Sequence, residues 1–220
     1  MPEYINVLKK ARLFSQIDTN EIDCMLKCLC AKRVDYAKGD FIIEEGDKVQ
    51  DLSIIVSGNG RSIKWDTSGR EIIITLLQKG DEIGAILAAD SVGRSPVTVQ
   101  AMDDVSLIQI PFDRICNRCS GACFKHDKLL RNYINIVAEK GFILHERLDC
   151  LLRPTIREKI MTYLLRLSNG QRQREFKVPL NRNAMAEYLN TDRSALSREL
   201  SNMKRDGLID YYKNNFMLIK

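Results

Sequence analysis

The side chains best suited to reading a chemical pattern lie between Asn181 and Lys204. Arg193, Ser194, Ser197 and Arg198 fall on one side of a helical wheel, opposite Leu196, Leu200 and Met203. An arginine offers a fork of N–H donors that matches guanine O6 and N7, and a serine hydroxyl can bond bases or phosphates. Arg182, further back, is a candidate for a phosphate contact. A cationic, hydroxyl-rich face of this kind suits the major groove of double-stranded DNA. The sequence carries no nucleophile–base pair, phosphate loop or metal-hydrolase motif, so the chain is not read as an enzyme.

The cysteines are the second chemical resource. There are seven: Cys24, Cys28, Cys30, Cys116, Cys119, Cys123 and Cys150. The number is odd and no secretory signal is evident, so reduced thiols are expected rather than a disulfide framework. Cys24, Cys28 and Cys30 sit on an amphipathic helical pattern and are expected as apolar core or partly buried thiols. Cys116, Cys119, Cys123 and His126 form C-x2-C-x3-C-x2-H, three soft ligands and an imidazole adequate in type for Zn²⁺ or an Fe–S cluster. Packing as small hydrophobes near a long helix is the alternative. His126 taken alone reads as a surface or hinge histidine. The residues name no cofactor.

These groups need elements to position them. Asn181 is a plausible cap for a first helix over about 182–189, and Asn190 tolerates the left-handed turn that follows. Thr191 or Asp192 can cap a second helix running to about Arg205. Two short helices around a tight turn make a helix-turn-helix. Gly207 then stops the second helix. Runs 208–212 and 216–219, joined through Asn214-Asn215, predict a hairpin, the wing of a winged helix-turn-helix.

Upstream, residues 1–30 predict amphipathic helix, with a start at Asp18-Thr19-Asn20-Glu21. From Val34 to Ile110, short β-branched runs alternate with Gly39-Asp40, Gly46-Asp47, Ser57-Gly58-Asn59-Gly60, Ser68-Gly69 and Gly80-Asp81. That rhythm predicts a β-sandwich or β-roll. A long helix is predicted from about Lys125 to Leu152, either core or a coiled-coil dimer seam. Arg153-Pro154 ends it. Thr155-Ile156-Arg157-Glu158 is a capping-box pattern, opening a helix to about Leu167 that Asn169-Gly170 stops.

The 220 residues fit one or two domains, and no apolar run is long enough for a membrane span. With no signal-peptide pattern at the N-terminus, the chain is expected to be cytoplasmic. The net charge of +5 is uneven: residues 153–220 carry 14 Lys and Arg against 7 Asp and Glu, while the rest is slightly acidic. A basic C-terminal part fits attraction to phosphates in one domain.

In this order, a glycine-punctuated roll, a long helix, a hinge and a winged helix-turn-helix resemble the cyclic-AMP receptor protein / fumarate–nitrate regulator (CRP/FNR) family. The likeness runs from about Leu13 to Ile219 and is most specific at Gly39-Asp40, Gly46-Asp47, Gly80-Asp81-Glu82-Ile83-Gly84 and 181–208. It implies an α+β fold. A double-stranded β-helix or jelly roll of the cyclic-nucleotide-binding type would occupy 1–124, a dimerisation helix 125–152 and the DNA-binding domain 153–220. It also implies a homodimer on an inverted-repeat site, with RNA polymerase as a partner and a small effector in the roll that repositions the DNA-binding domains.

The resemblance carries the effector site over only in part. Cyclic-nucleotide-binding members place a glutamate after the Gly-Asp-x-x-Gly pattern, where this chain has Ala85 following Gly84. Arg94-Ser95 matches the pair that holds the cyclic phosphate. A methyl group cannot accept sugar hydroxyls, so an anionic ligand other than cyclic AMP is expected at Gly84, Ala85, Arg94 and Ser95. Oxygen-sensing members hold a [4Fe–4S] cluster through an N-terminal cysteine cluster, but the spacing of Cys24, Cys28 and Cys30 does not match. On the DNA side, Arg198 matches the arginine that commonly reads guanine. Ser194 stands where well-known members have glutamate, which implies a different half-site or looser discrimination at that base. A thiol or metal switch at Cys116, Cys119, Cys123 and His126 is the competing reading of the gate. A non-DNA ligand-binding module or enzyme is the reading from another class.

Overall fold

β-Branched runs punctuated by glycine turns build the N-terminal half, and capped amphipathic helices build the C-terminal half. The computed structural model describes residues 3–90, 93–117, 124–171 and 174–219. They cluster into two compact units, Met1–Lys140 and Gly141–Lys220.

The N-terminal unit opens with α1 (Glu3–Leu8), a 3-10 turn (Arg12–Phe14) and α2 (Thr19–Cys28). The strands follow: β1 (Lys32–Tyr36), β2 (Phe41–Ile43), β3 (Asp51–Ser57), β4 (Gly60–Trp65), β5 (Glu71–Leu77), β6 (Glu82–Ile83), β7 (Thr98–Ala101) and β8 (Val105–Pro111). They pair, antiparallel throughout, as two four-stranded sheets ordered β1-β8-β3-β6 and β2-β7-β4-β5. This is the expected roll. Leu52, Ile54, Ile108 and Ile110 pack with Leu8, Phe14 and Ile22 of the N-terminal helical segment, and Ile55, Val99 and Leu107 form a smaller cluster. β1 was not visible in the sequence. Its residues KRVDY are mostly exposed and show no apolar alternation, and it becomes a strand through its pairing with β8. The N-terminal helical stretch is likewise broken into three pieces.

After α3 (Phe112–Cys116), the long helix α4 (Phe124–Leu151) begins. Leu129, Tyr133 and Ile136 are buried in the main core of the N-terminal unit, which covers the first half of its apolar stripe. Further along, Phe142, Leu144 and Leu148 are exposed. α4 runs unbroken through Lys140-Gly141, which part the apolar stripe without ending the helix.

The C-terminal unit contains the end of α4, then α5 (Ile156–Gln171), β9 (Glu175–Lys177), α6 (Arg182–Tyr188), α7 (Arg193–Arg205), β10 (Ile209–Tyr212) and β11 (Asn215–Leu218). The capping box at α5 is reciprocal: the Glu158 amide donates to Thr155 Oγ1 at 3.2 Å, and the Thr155 amide donates to Glu158 Oε2 at 3.3 Å. α5 runs through Asn169-Gly170, beyond the predicted stop. The wing gains a third strand, in order β10-β11-β9, with Phe216 opposite Phe176. Its turn falls one residue earlier than expected, on Lys213 at φ +55°, and Asn215 already belongs to β11.

Candidate nucleic-acid interface

The helix-turn-helix is set by local chemistry. Asn181 caps α6 by accepting from the Ala184 amide at 2.9 Å, and Asn190 takes φ +48° between the helices. Asp192 caps α7, with its carboxylate accepting from the amides of Ser194 (2.8 Å) and Ala195 (3.0 Å). The Ser194 hydroxyl donates to the same oxygen at 2.5 Å, and these bonds hold the Asp192 carboxyl below its usual range, the hydroxyl contributing most.

Leu196, Leu200 and Met203 are fully buried and seat α7 on a core with Ile160, Leu164, Met185 and Ile209. Arg193, Ser194, Ser197 and Arg198 are exposed, and at 100° per residue they span an arc of about 140°. Among the described residues, no hydrogen bond or ion pair ties down Arg193 or Arg198. Arg157 on α5 braces α7 from the other side, bonding Glu199 at 2.5 Å and Asp206 at 2.7 Å. Nothing in the sequence pattern pointed to that brace.

Arg182 lies apart from this face. Its Nη2 donates to the Lys213 carbonyl at 2.9 Å, and its guanidinium carbon stands 5.1 Å from the Tyr211 ring centre and 5.0 Å from that of Phe216. Burial pulls its pKa down.

In the roll, Gly84 has φ +79°, and an added Cβ would stand 2.8 Å from the Asp51 carbonyl oxygen, so the position requires glycine. Ala85 is buried, and its carbonyl accepts from the Tyr133 hydroxyl at 2.6 Å. Burial pushes the Tyr133 hydroxyl up to about 12. Arg94 donates through Nη1 to the Gly46 carbonyl at 2.8 Å, and buried Ser95 donates its hydroxyl to the Val97 carbonyl at 2.6 Å. Glu82 has no accessible side-chain surface. Arg12 holds it through two bonds of 2.5 and 3.2 Å, and also reaches Glu139 on α4 at 2.8 Å.

The cysteines differ from expectation. Cys24 and Cys28 are exposed because Ile22, Met25 and Leu26 take the buried side of α2, and Cys30, beyond the end of that helix at φ +52°, is exposed as well. His126 is buried rather than at the surface, with Nε2 donating to the Ile115 carbonyl at 2.8 Å. It shares a small cavity with Cys24 and Cys28. Partial shielding, with Asp113 nearby, raises the Cys116 thiol. Cys119 and Cys123 lie outside the described residues. Among the described ones, no three His, Cys, Asp or Glu side chains are grouped to hold a metal ion. Nor is any described helix long and apolar enough to cross a membrane.

A roll of the cyclic-nucleotide-binding type joined to a winged helix-turn-helix defines a DNA-binding regulator. Residues 33–119 match the family model of the cyclic nucleotide-binding domain, and residues 158–220 match that of the Crp-like helix-turn-helix domain. The chain belongs to the CRP/FNR family of transcription regulators. It is 25% identical to the transcriptional activator protein FnrA of Stutzerimonas stutzeri, over 79% of this chain and 70% of that protein. It is 24% identical to the electron transport regulator A of Shewanella oneidensis, over 92% and 80% of the two chains. In fold it is similar to the catabolite activator protein of Thermus thermophilus, with TM-score 0.57, 21% identity and coverage of 94% and 93%. The CprK structure complexed with OCPA is also similar, with TM-score 0.63, 16% identity and coverage of 91% of each chain. The matched relatives are regulators, not enzymes.

Proposed function

We propose that this regulator acts as a cytoplasmic homodimer on an inverted-repeat DNA site, gated by a small anionic effector other than cyclic AMP. The carrying observation is the two-sided α7, with Leu196, Leu200 and Met203 buried while Arg193, Ser194, Ser197 and Arg198 face outward. Arg198 reads guanine, and Arg193 and Ser197 secure neighbouring contacts. Ser194 has committed its proton to Asp192, so its oxygen can only accept, which favours cytosine N4 or adenine N6 as its partner. Residues 153–220 form the DNA-binding domain, 125–152 the dimerisation helix and 1–124 the effector domain. RNA polymerase is the further partner.

The dimer is supported by α4, which leaves Ile134, Leu144 and Leu148 exposed along its length and Leu152 exposed just beyond its end; at 100° per residue they fall within about 80° of one another. For the effector, Gly84, Ala85, Arg94 and Ser95 are the binding segment. Arg94 uses one nitrogen on the Gly46 carbonyl and keeps further N–H donors for an anion. A ribose hydroxyl would find a methyl group at Ala85 and a Glu82 carboxylate already held by Arg12. Each hydroxyl left unpaired costs about 1–3 kcal/mol, which disfavours cyclic AMP.

Selection of bound sites from random duplexes, with and without candidate anions, tests the reading. The expected product is an inverted repeat, enriched more strongly with the right effector. Recovery of no consensus, or of a single unrepeated site, overturns it.

A further inference from the structure

At the first residue of α6, a charged side chain is engaged with the protein itself. The Arg182 guanidinium sits against Tyr211 of β10 and Phe216 of β11, whose rings stack at 5.2 Å and 24°. Its Nη2 donates to the Lys213 carbonyl at 2.9 Å, and its Nη1 is buried without a hydrogen-bond partner. One of its three nitrogens is therefore closed off from solvent, and a second is engaged by the wing turn. Lys213, at the turn, has φ +55°, a left-handed conformation that a lysine keeps only when its surroundings hold it. Two bonds do so: Arg182 to the Lys213 carbonyl, and the Val178 amide to the Asn214 carbonyl at 2.8 Å. The Lys213 side chain itself is exposed.

We propose that Arg182 is a positioning residue that fixes the wing turn, so that Lys213, and not Arg182, meets the DNA backbone. The proposal rests on the DNA-binding reading and departs from the sequence expectation that Arg182 is itself a phosphate contact. A planar guanidinium can lie flat on aromatic faces and bridge to a carbonyl in the same plane. A lysine ammonium, a compact point charge, can do neither together, yet it could still satisfy a phosphate. Arg182→Lys therefore separates the two roles.

The test uses the full chain on a duplex recovered by site selection. Affinity is measured across a salt series for wild type, Arg182→Ala, Arg182→Lys and Lys213→Ala, and amide exchange is followed at 208–219 in the free proteins. Both Arg182 variants are expected to speed exchange in the wing and weaken binding about tenfold on every sequence, with the same salt slope in the two although one keeps the positive charge. Lys213→Ala is expected to leave wing exchange as in wild type and to lower the salt slope by about one contact. A slope that falls in Arg182→Ala and recovers in Arg182→Lys overturns the proposal, as does unchanged wing exchange in both. If Arg182→Ala does not fold, Arg182→Lys carries the same comparison. If wild type binds no selected duplex, the DNA-binding reading fails, and wing exchange still decides the role of Arg182.

Discussion

The Tyr133 hydroxyl on α4 donates to the backbone carbonyl of Ala85 across a buried 2.6 Å contact. It connects the long helix directly to the segment where nucleotide-binding relatives carry their glutamate. Tyr133→Phe removes the donor and leaves a buried carbonyl unpaired. It is expected to destabilise the protein by about 1–3 kcal/mol in urea unfolding and to change the effector's influence on DNA affinity. An unaltered effector response in a destabilised variant would limit the contact to stability.

Arg12 and Glu82 form the neighbouring link. Glu82 is sealed from solvent while Arg12 keeps part of its surface in water. Glu82→Gln keeps the size and removes the charge. The expected loss is about 1–2 kcal/mol, between an exposed pair and a fully buried one, because the guanidinium stays partly hydrated and keeps its bond to Glu139. Denaturant unfolding of the full chain checks it.

Arg198→Ala should weaken specific binding by about 1–3 kcal/mol and relax base choice at one position of each half-site. Ser194→Ala should relax a different position. Site selection with each variant reads both outcomes, and an unchanged consensus with Arg198→Ala would mean that α7 is oriented otherwise.

Asp192 gives α7 a pH dependence with a definite sign. Its folded pKa lies below the usual 3.8, so the cap's contribution is complete above the ordinary carboxylate range and is lost as pH falls through the lowered value. Asp192→Asn keeps a capping oxygen without the titration. The two proteins should differ in thermal midpoint near neutral pH and converge in acid; a constant difference would exclude the linkage.

Leu144→Glu and Leu148→Glu place charges on the exposed apolar face of α4. Sedimentation should show a shift toward monomer, with loss of inverted-repeat binding. A variant that sediments as wild type would move the dimer contact elsewhere.

Capping and periodicity made the C-terminal half legible from sequence. Asn181, Asn190 and Asp192 do their work within a few residues of themselves, and the Leu196–Leu200–Met203 stripe follows from the helical repeat. Gly84 was legible only through the Gly-Asp-x-x-Gly pattern of the family resemblance. The edge strand β1 was not, since its exposed residues carry no alternation.

What the amino-acid sequence determined by itself was the order of elements, the family and the outward face of α7, all written in short-range pattern. Tertiary structure decided the partners. Arg12 meets Glu82 across 70 residues of chain, Tyr133 meets Ala85 across 48, and Arg182 reaches Lys213 across 31. A long side chain can serve water, a phosphate or its own protein equally well, and only the folded backbone sets which of these lies within bonding distance.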